Sequence, residues 1–312
     1  MNFEPKIDWR EAVFVLLAVV CLLPFIAPPF ALALGIAATL TIGNPFPAKI
    51  SKITKLLLQI SVVGLGFGMN IETIFAAGRD GILFAVATIF GTLALGYFLG
   101  KILNIDRKIS HLISCGTAIC GGSAIAAIAP VIEADDDEIS VSLGTIFVLN
   151  SVALFVFPIV GHWLNLNEKQ FGIWAAIAIQ DTSSVVGAAA RFGDEALQIA
   201  TTVKLTRALW IAPLALVTAL AFKSKNTRVT VPVFIFLFLA ASIVKTYAPL
   251  PESLFNSFVG VAKQGLTLTL FLIGAALSRK TLAEVGIKPM LQGVILWIVI
   301  SLVSLWAVMT IL

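Results

Sequence analysis

Charge is what this sequence has least of. Only 12% of its 312 residues are Asp, Glu, Lys or Arg, about half the 25% typical of a soluble domain. So few polar groups cannot cover a water-facing surface, and the soluble globular class is excluded. Histidine is scarcer still. His111 and His162 are the only two and lie far apart, so neither a His-based metal site nor any cofactor is expected. Cysteine is also rare: Cys21, Cys115 and Cys120 are odd in number and sit in apolar segments. That pattern gives no disulfide framework and no zinc spacing. There is no G-x-x-x-x-G-K-[ST] phosphate loop and no polar stretch large enough for an ATP-hydrolysing domain. No basic run has the density of a nucleic-acid-binding arm.

What the chain has instead is apolar length. It is 59% hydrophobic, with a mean hydropathy of +1.02, and several runs reach the ~20 residues that span a bilayer as a helix. Eleven hydrophobic segments can be drawn. They run Ala12–Ala27, Phe30–Ile42, Leu56–Met69, Gly81–Leu103, Ser110–Ile132, Ile139–Leu164, Phe171–Ala190, Leu197–Phe222, Val229–Val244, Leu254–Leu277 and Met290–Leu312. The first pair is parted only by Pro28-Pro29, which fits a tight turn or one kinked element. The N-terminus, MNFEPKIDWRE, is mixed in charge, and the run from Ala12 lacks a small-residue cleavage site, so it reads as a retained helix.

The expected fold is therefore all-α: one polytopic transmembrane domain, 1–312, of about eleven helices. Basic residues orient it. With the N-terminus cytoplasmic, 15 of the 21 Lys and Arg fall in cytoplasmic segments, Lys169 among them, and four fall outside. That bias fixes orientation by the positive-inside rule, in the inner (cell) membrane. The acidic run Glu133–Glu138 falls outside in this topology. An internal repeat adds to it. Gly66–Asn70 leads through Thr73 to Gly78 and an apolar helix, and Gly274–Ser278 leads through Thr281 to Gly286 and another. The two begin on opposite sides, as inverted-topology repeats do in alternating-access transporters. The repeat-like units span about 56–164 and 171–312.

Two stretches interrupt the apolar pattern. Gly116–Pro130 reads GTAICGGSAIAAIAP, with Gly121-Gly122 in its middle. Adjacent glycines weaken a helix by roughly 1 kcal/mol each, and Ser123 is a good N-cap. A discontinuous helix follows, one half ending near Cys120 and the next starting at Ser123, unless the small residues only let helices pack closely. Irregular backbone at membrane depth survives where it is buried in protein or lines a cavity. The second stretch is Gln180-Asp181-Thr182-Ser183-Ser184, close to the middle of its segment. Asp181 or Thr182 could cap a second half-helix. Back-bonding to i−4 carbonyls could account for Ser183 and Ser184, but not for an ionised Asp181, which needs a partner or water.

The next segment supplies cations. Lys204 and Arg207 lie i,i+3 on one helical face, and Lys204 is about 10–13 Å into its run at 1.5 Å per residue. Either they snorkel to an interface, or a negative charge sits nearby, supplied by Asp181, by a bound anion, or by each in turn. Asn150 and Gln264 are weaker candidates for polar lining. Together the candidate substrate- or ion-binding residues are Thr117, Cys120, Gly121, Gly122, Ser123, Asn150, Gln180, Asp181, Thr182, Ser183, Ser184, Lys204 and Arg207.

GTAICGGSAIAAIAPVI at Gly116–Ile132, IQDTSSVVGAA at Ile179–Ala189 and VKLTRALWIAP at Val203–Pro213 resemble the YeiH-type sulfate exporter family, over almost the whole chain. Members often carry a His where Gln180 stands. The resemblance implies export of sulfate or a related sulfur oxyanion. It also implies a fold similar to the broken-helix transporters of the sodium/proton antiporter and bile-acid symporter type.

The expected function is secondary transport of a small anion by alternating access, coupled to a proton or another ion. A cation or proton antiporter with Asp181 as carrier and Lys204 as partner is the alternative. An intramembrane enzyme would need an activated nucleophile; Cys120 or Ser123 could be proposed, but neither histidine is placed beside them. Expected partners are the lipid bilayer, the anion and a proton or sodium ion, with no nucleic acid and a homodimer left open.

Overall fold

A computed structural model describes residues 8–23, 26, 28–222, 233–276 and 286–311. Among them every regular element is a helix. There are fourteen: α1 Trp9–Val20, α2 Pro28–Thr41, α3 Pro47–Gly66, α4 Ile71–Ile102, α5 Arg107–Ala118, α6 Gly122–Ile128, α7 Asp136–Trp163, α8 Glu168–Ala178, α9 Thr182–Phe192, α10 Asp194–Ala208, α11 Ile211–Phe222, α12 Val233–Tyr247, α13 Glu252–Ala276 and α14 Ile287–Ile311. Five stretches are long and apolar enough to cross a membrane: Phe84–Ile102, Asp137–Trp163, Asp194–Phe222, Glu252–Ala275 and Ile287–Ile311.

By contact the chain falls into two compact units, Met1–Gly68 with Leu237–Arg279, and Met69–Phe236 with Lys280–Leu312. The repeat-like spans 56–164 and 171–312 describe topology, and this division by contact runs across them.

In the first unit α13 packs along both α2 and α3. Its approach to α2 is close because glycines face backbone on each side. A Cβ on Gly35 would lie 2.0 Å from the Phe271 carbonyl oxygen, and one on Gly274 would lie 2.3 Å from that of Leu32. Such small-residue contacts bring helices together where lipid offers no hydrophobic drive. α3 starts earlier than its apolar segment, with Pro47 at its first position, so the lysines 49, 52 and 55 are helical rather than loop residues.

The second unit contains two helical hairpins. α5 and α6 form the first. Lys108, at the start of α5, donates from Nζ to the Glu133 carbonyl oxygen at 2.8 Å and pairs with Glu138 of α7 at 3.4 Å. A chain that crossed a bilayer between residues 108 and 133 could not close that contact. α8 and α9 form the second. Glu168, the first residue of α8, accepts at Oε2 from the Glu195 and Ala196 amides of α10, at 2.8 and 3.0 Å. The rings of Phe171 and Phe192 stack at 3.8 Å between centroids. Each hairpin therefore returns to the end it entered from.

This corrects the eleven-crossing expectation: segments Ser110–Ile132 and Phe171–Ala190 are discontinuous, as expected, but do not cross. It also moves Glu133–Glu138 to the Lys108 end and Lys169 to the opposite end.

α7 joins the two hairpin bases, from Glu138 beside Lys108 to His162, whose ring stacks on Phe192 at 4.3 Å. α10 and α11 run back. Phe222 meets the His111 ring at 5.0 Å, and Arg107 donates to the Ala221 carbonyl at 3.2 Å. Their junction at Leu209-Trp210 is a break that the sequence reading did not anticipate. Pro213 explains it, since proline offers no N–H and its ring clashes with the carbonyl four residues back, that of Leu209.

The linker expected between Asn70 and Gly81 is instead the first turns of α4, capped by Asn70 Oδ1 accepting from the Glu72 amide at 2.8 Å. Thr281, in the matching half of that repeat, lies outside the described residues.

Candidate functional site

The two hairpin tips meet. Gly121 has φ +60° and ψ −124°, a left-handed backbone that a side chain disfavours. A Cβ there would lie 2.9 Å from Asp181 Cβ. Gly121, not Ser123, is the N-cap of α6, which begins at Gly122, and no side chain caps it; Ser123 is exposed. The second tip is closed by its own carboxylate. Asp181 accepts from the amide and hydroxyl of both Ser183 and Ser184, at 2.6–3.4 Å. Asp181 is thus the N-cap of α9, and its carboxylate occupies the Ser183 and Ser184 amides at that helix N-terminus. Thr182, Ser183 and Ser184 are buried.

Lys204 and Arg207 are 0% and 1% exposed. Snorkelling is ruled out for both, and so is the expected salt bridge, because no ion pair joins either to Asp181. Each cation instead holds the end of a hairpin's first arm. Lys204 Nζ donates to the carbonyls of Ile179 at 2.7 Å and Ala176 at 3.3 Å, at the end of α8. Arg207 donates to the carbonyl of Ala118, at the end of α5, and to Thr88 Oγ1 of α4 at 2.9 Å. Terminal helix carbonyls lack intrahelical donors and carry the negative end of the dipole. They favour a cation without neutralising it.

A neutral polar chain links the tips. Gln180 Nε2 donates to Thr117 Oγ1 at 3.0 Å, and Asn150 Oδ1 of α7 accepts from the Gln180 and Asp181 amides at 3.0 and 3.3 Å. Three atoms of this group are buried without a hydrogen-bond partner: Asn150 Nδ2, Gln180 Oε1 and Arg207 Nε. Cys120 is buried beside them as a free thiol, and Gly122 borders Leu143 and Phe147. Gln264 lies in α13, in the first unit.

Two groups were missed. Gln292 of α14, fully buried, donates to Ser110 Oγ at 2.9 Å, Gly96 O at 3.1 Å and Ser114 Oγ at 3.2 Å, joining α14, α4 and α5. A glutamine inside the apolar run from Met290 was the available signal. His111 Nε2 lies 3.0 Å from Thr218 Oγ1 and 3.4 Å from Cys115 Sγ. This ties the first hairpin's base to α11. Among the described residues no three His, Cys, Asp or Glu gather as metal ligands would.

Residues 13–293 match the family model described as conserved hypothetical protein 698. A UPF0324 membrane protein of Bacteroides thetaiotaomicron is 56% identical over 284 residues, covering 90% of this chain and 86% of that protein. One from Porphyromonas gingivalis is 54% identical over 287 residues, with the same coverage. One from Geobacter sulfurreducens is 48% identical over 298 residues, covering 96% of each. No solved structure matches. With its apolar helices and these relatives, the chain is a multi-pass helical membrane protein and belongs to the conserved hypothetical protein 698 family of UPF0324 membrane proteins.

Proposed function

We propose that the protein is a secondary transporter of a small anion, working by alternating access at the paired hairpin tips. The observation that carries this reading is the charge balance there. Among the described residues, the hydrogen bonds of these two buried cations, Lys204 and Arg207, go to carbonyls and a hydroxyl. Dipoles offset part of the cost of burying them, and a transient counter-charge would offset the rest. Arg207 could meet an oxyanion through its guanidinium fork. The resemblance noted above makes sulfate or a related sulfur oxyanion the first substrate to try. The charge bias supports an inner-membrane protein with its N-terminus and its Lys108 end in the cytoplasm. Moving Lys169 to the other side leaves 14 basic residues against five.

Cation or proton exchange on Asp181 is less favoured. Its carboxylate is engaged by four donors and has no salt bridge to Lys204 to alternate with. Enzymatic chemistry is less favoured too, because the Cys115–His111 contact lies in the first arm, shared with α11, and not at the tips.

Thermal unfolding of purified protein tests the proposal. Sulfate, sulfite, sulfonates and carboxylates are compared with sodium chloride at matched ionic strength. Binding at a hundredfold excess over Kd adds about 2.7 kcal/mol. An oxyanion is expected to raise the melting temperature. Stabilisation by sodium or by pH alone would instead favour cation exchange on Asp181.

A further inference from the structure

The two hairpins and the helices that follow them match part by part. Residues 107–163 comprise α5, α6 and α7; residues 168–222 comprise α8, α9, α10 and α11. In each, a charged residue in the first turn of the first arm closes onto the start of the helix after the hairpin: Lys108 onto Glu138, and Glu168 onto the Glu195 and Ala196 amides. The two segments enter from opposite ends, as inverted copies would. This repeat is narrower than 56–164 and 171–312, and its helices match in order once α10 and α11 together are set against α7.

Two side chains reach across between these segments. Asn150 is the fifteenth residue of α7 and Arg207 the fourteenth of α10. Each reaches the break of the other copy's hairpin. Asn150 of the first copy accepts from the Gln180 and Asp181 amides in the second. Arg207 of the second donates to the Ala118 carbonyl in the first. Thr117 and Gln180 bond to each other between them, joining the two contacts into one network. Each side chain also keeps one buried N–H group without a partner, Asn150 Nδ2 and Arg207 Nε. Buried donors are rarely left unpaired, because each costs the full desolvation of the group. Here two occur on the helices that follow the two hairpins, one residue out of register with each other, and each on a side chain bonded to the opposite hairpin.

We propose that Asn150 Nδ2 and Arg207 Nε are a pair of anion-binding donors, one from the helix after each hairpin, that hold the transported anion at the hairpin tips. This rests on the anion-transport reading and adds Asn150 to the groups that touch the substrate. It gives a reason for the exchange of contacts: the atom that binds the anion sits on a side chain already fixed to the opposite hairpin, so each hairpin's position is felt by the ligand.

Asn150→Asp separates the two roles. It keeps an oxygen to accept from the Gln180 and Asp181 amides but replaces the free donor with a carboxylate oxygen that repels anions. Arg207→Lys keeps the charge and removes Nε. Anion affinity is read from the melting-temperature shift against concentration of sodium sulfate, sodium sulfite and sodium ethanesulfonate, with sodium chloride as control. For whichever probe binds the wild type, both variants are expected to raise Kd about tenfold or more. Asn150→Asp should keep the bonds to the Gln180 and Asp181 amides, so its anion-free melting temperature should stay above that of Asn150→Ala. Wild-type affinity in Asn150→Asp overturns this inference, and if Arg207→Lys still weakens binding the transport reading stands. A wild-type protein that binds none of the three probes overturns both.

Discussion

Gly121 shows at a single residue why the first tip is built as it is. Its φ of +60° is one that an alanine would strain to adopt, and a methyl group would run into Asp181. Gly121→Ala is expected to cost about 1–3 kcal/mol and to push the two tips apart, lowering both the melting temperature and anion flux into liposomes. A variant as stable and as active as the wild type would mean the tips do not need to touch. Lys204 gives a second prediction. Lys204→Ala leaves the Ala176 and Ile179 carbonyls without their donor, so stability should fall by about 1.5–3 kcal/mol and anion binding should weaken with the lost charge. Thermal unfolding with and without sulfate reads both. At this scale much of the candidate cluster could be read from the sequence. A polar residue in an apolar run is conspicuous, and Thr117, Asn150, Gln180, Lys204 and Arg207 do come together. Their pairing could not be read. Asp181 looks like the natural partner of two cations until its own Ser183 and Ser184 are seen to take its oxygens, and helix-end carbonyls are invisible as a residue type.

The elements were legible in position and not in direction. Gly121-Gly122 and the Gln180–Ser184 run both mark real breaks. Each surrounding segment is nevertheless long enough to span a bilayer, and nothing in its composition says whether the second arm continues or returns. That is decided by a few dihedral angles at Ile119 and Gly121 in one hairpin, and at Ile179 and Asp181 in the other. The contacts that reveal the return, Lys108 with Glu133 and Glu168 with Glu195, join residues more than twenty positions apart. α5, at 12 residues, is about 18 Å long, little more than half of a ~30 Å hydrocarbon core. Labelling settles the direction. In a background with Cys21, Cys115 and Cys120 replaced, Asp137→Cys should react with a membrane-impermeant maleimide from the same side as Arg107→Cys, and Lys169→Cys from the other. Labelling of 107 and 137 from opposite sides would restore a crossing and remove the hairpin.

For the molecule as a whole, two segments counted as crossings are not crossings, and they come as a pair. One miscounted segment would have inverted everything after it. Two in succession invert only the stretch between them, from Glu133 to Lys169, and restore the parity of the rest. The charge bias therefore points the same way under either count, and so would any reporter fused to the N-terminus or after Leu312. Terminal fusions, the usual first test of a membrane topology, are blind to the difference between a chain in which both segments cross and one in which both dip in and return. Only probes placed within that inverted stretch can tell them apart.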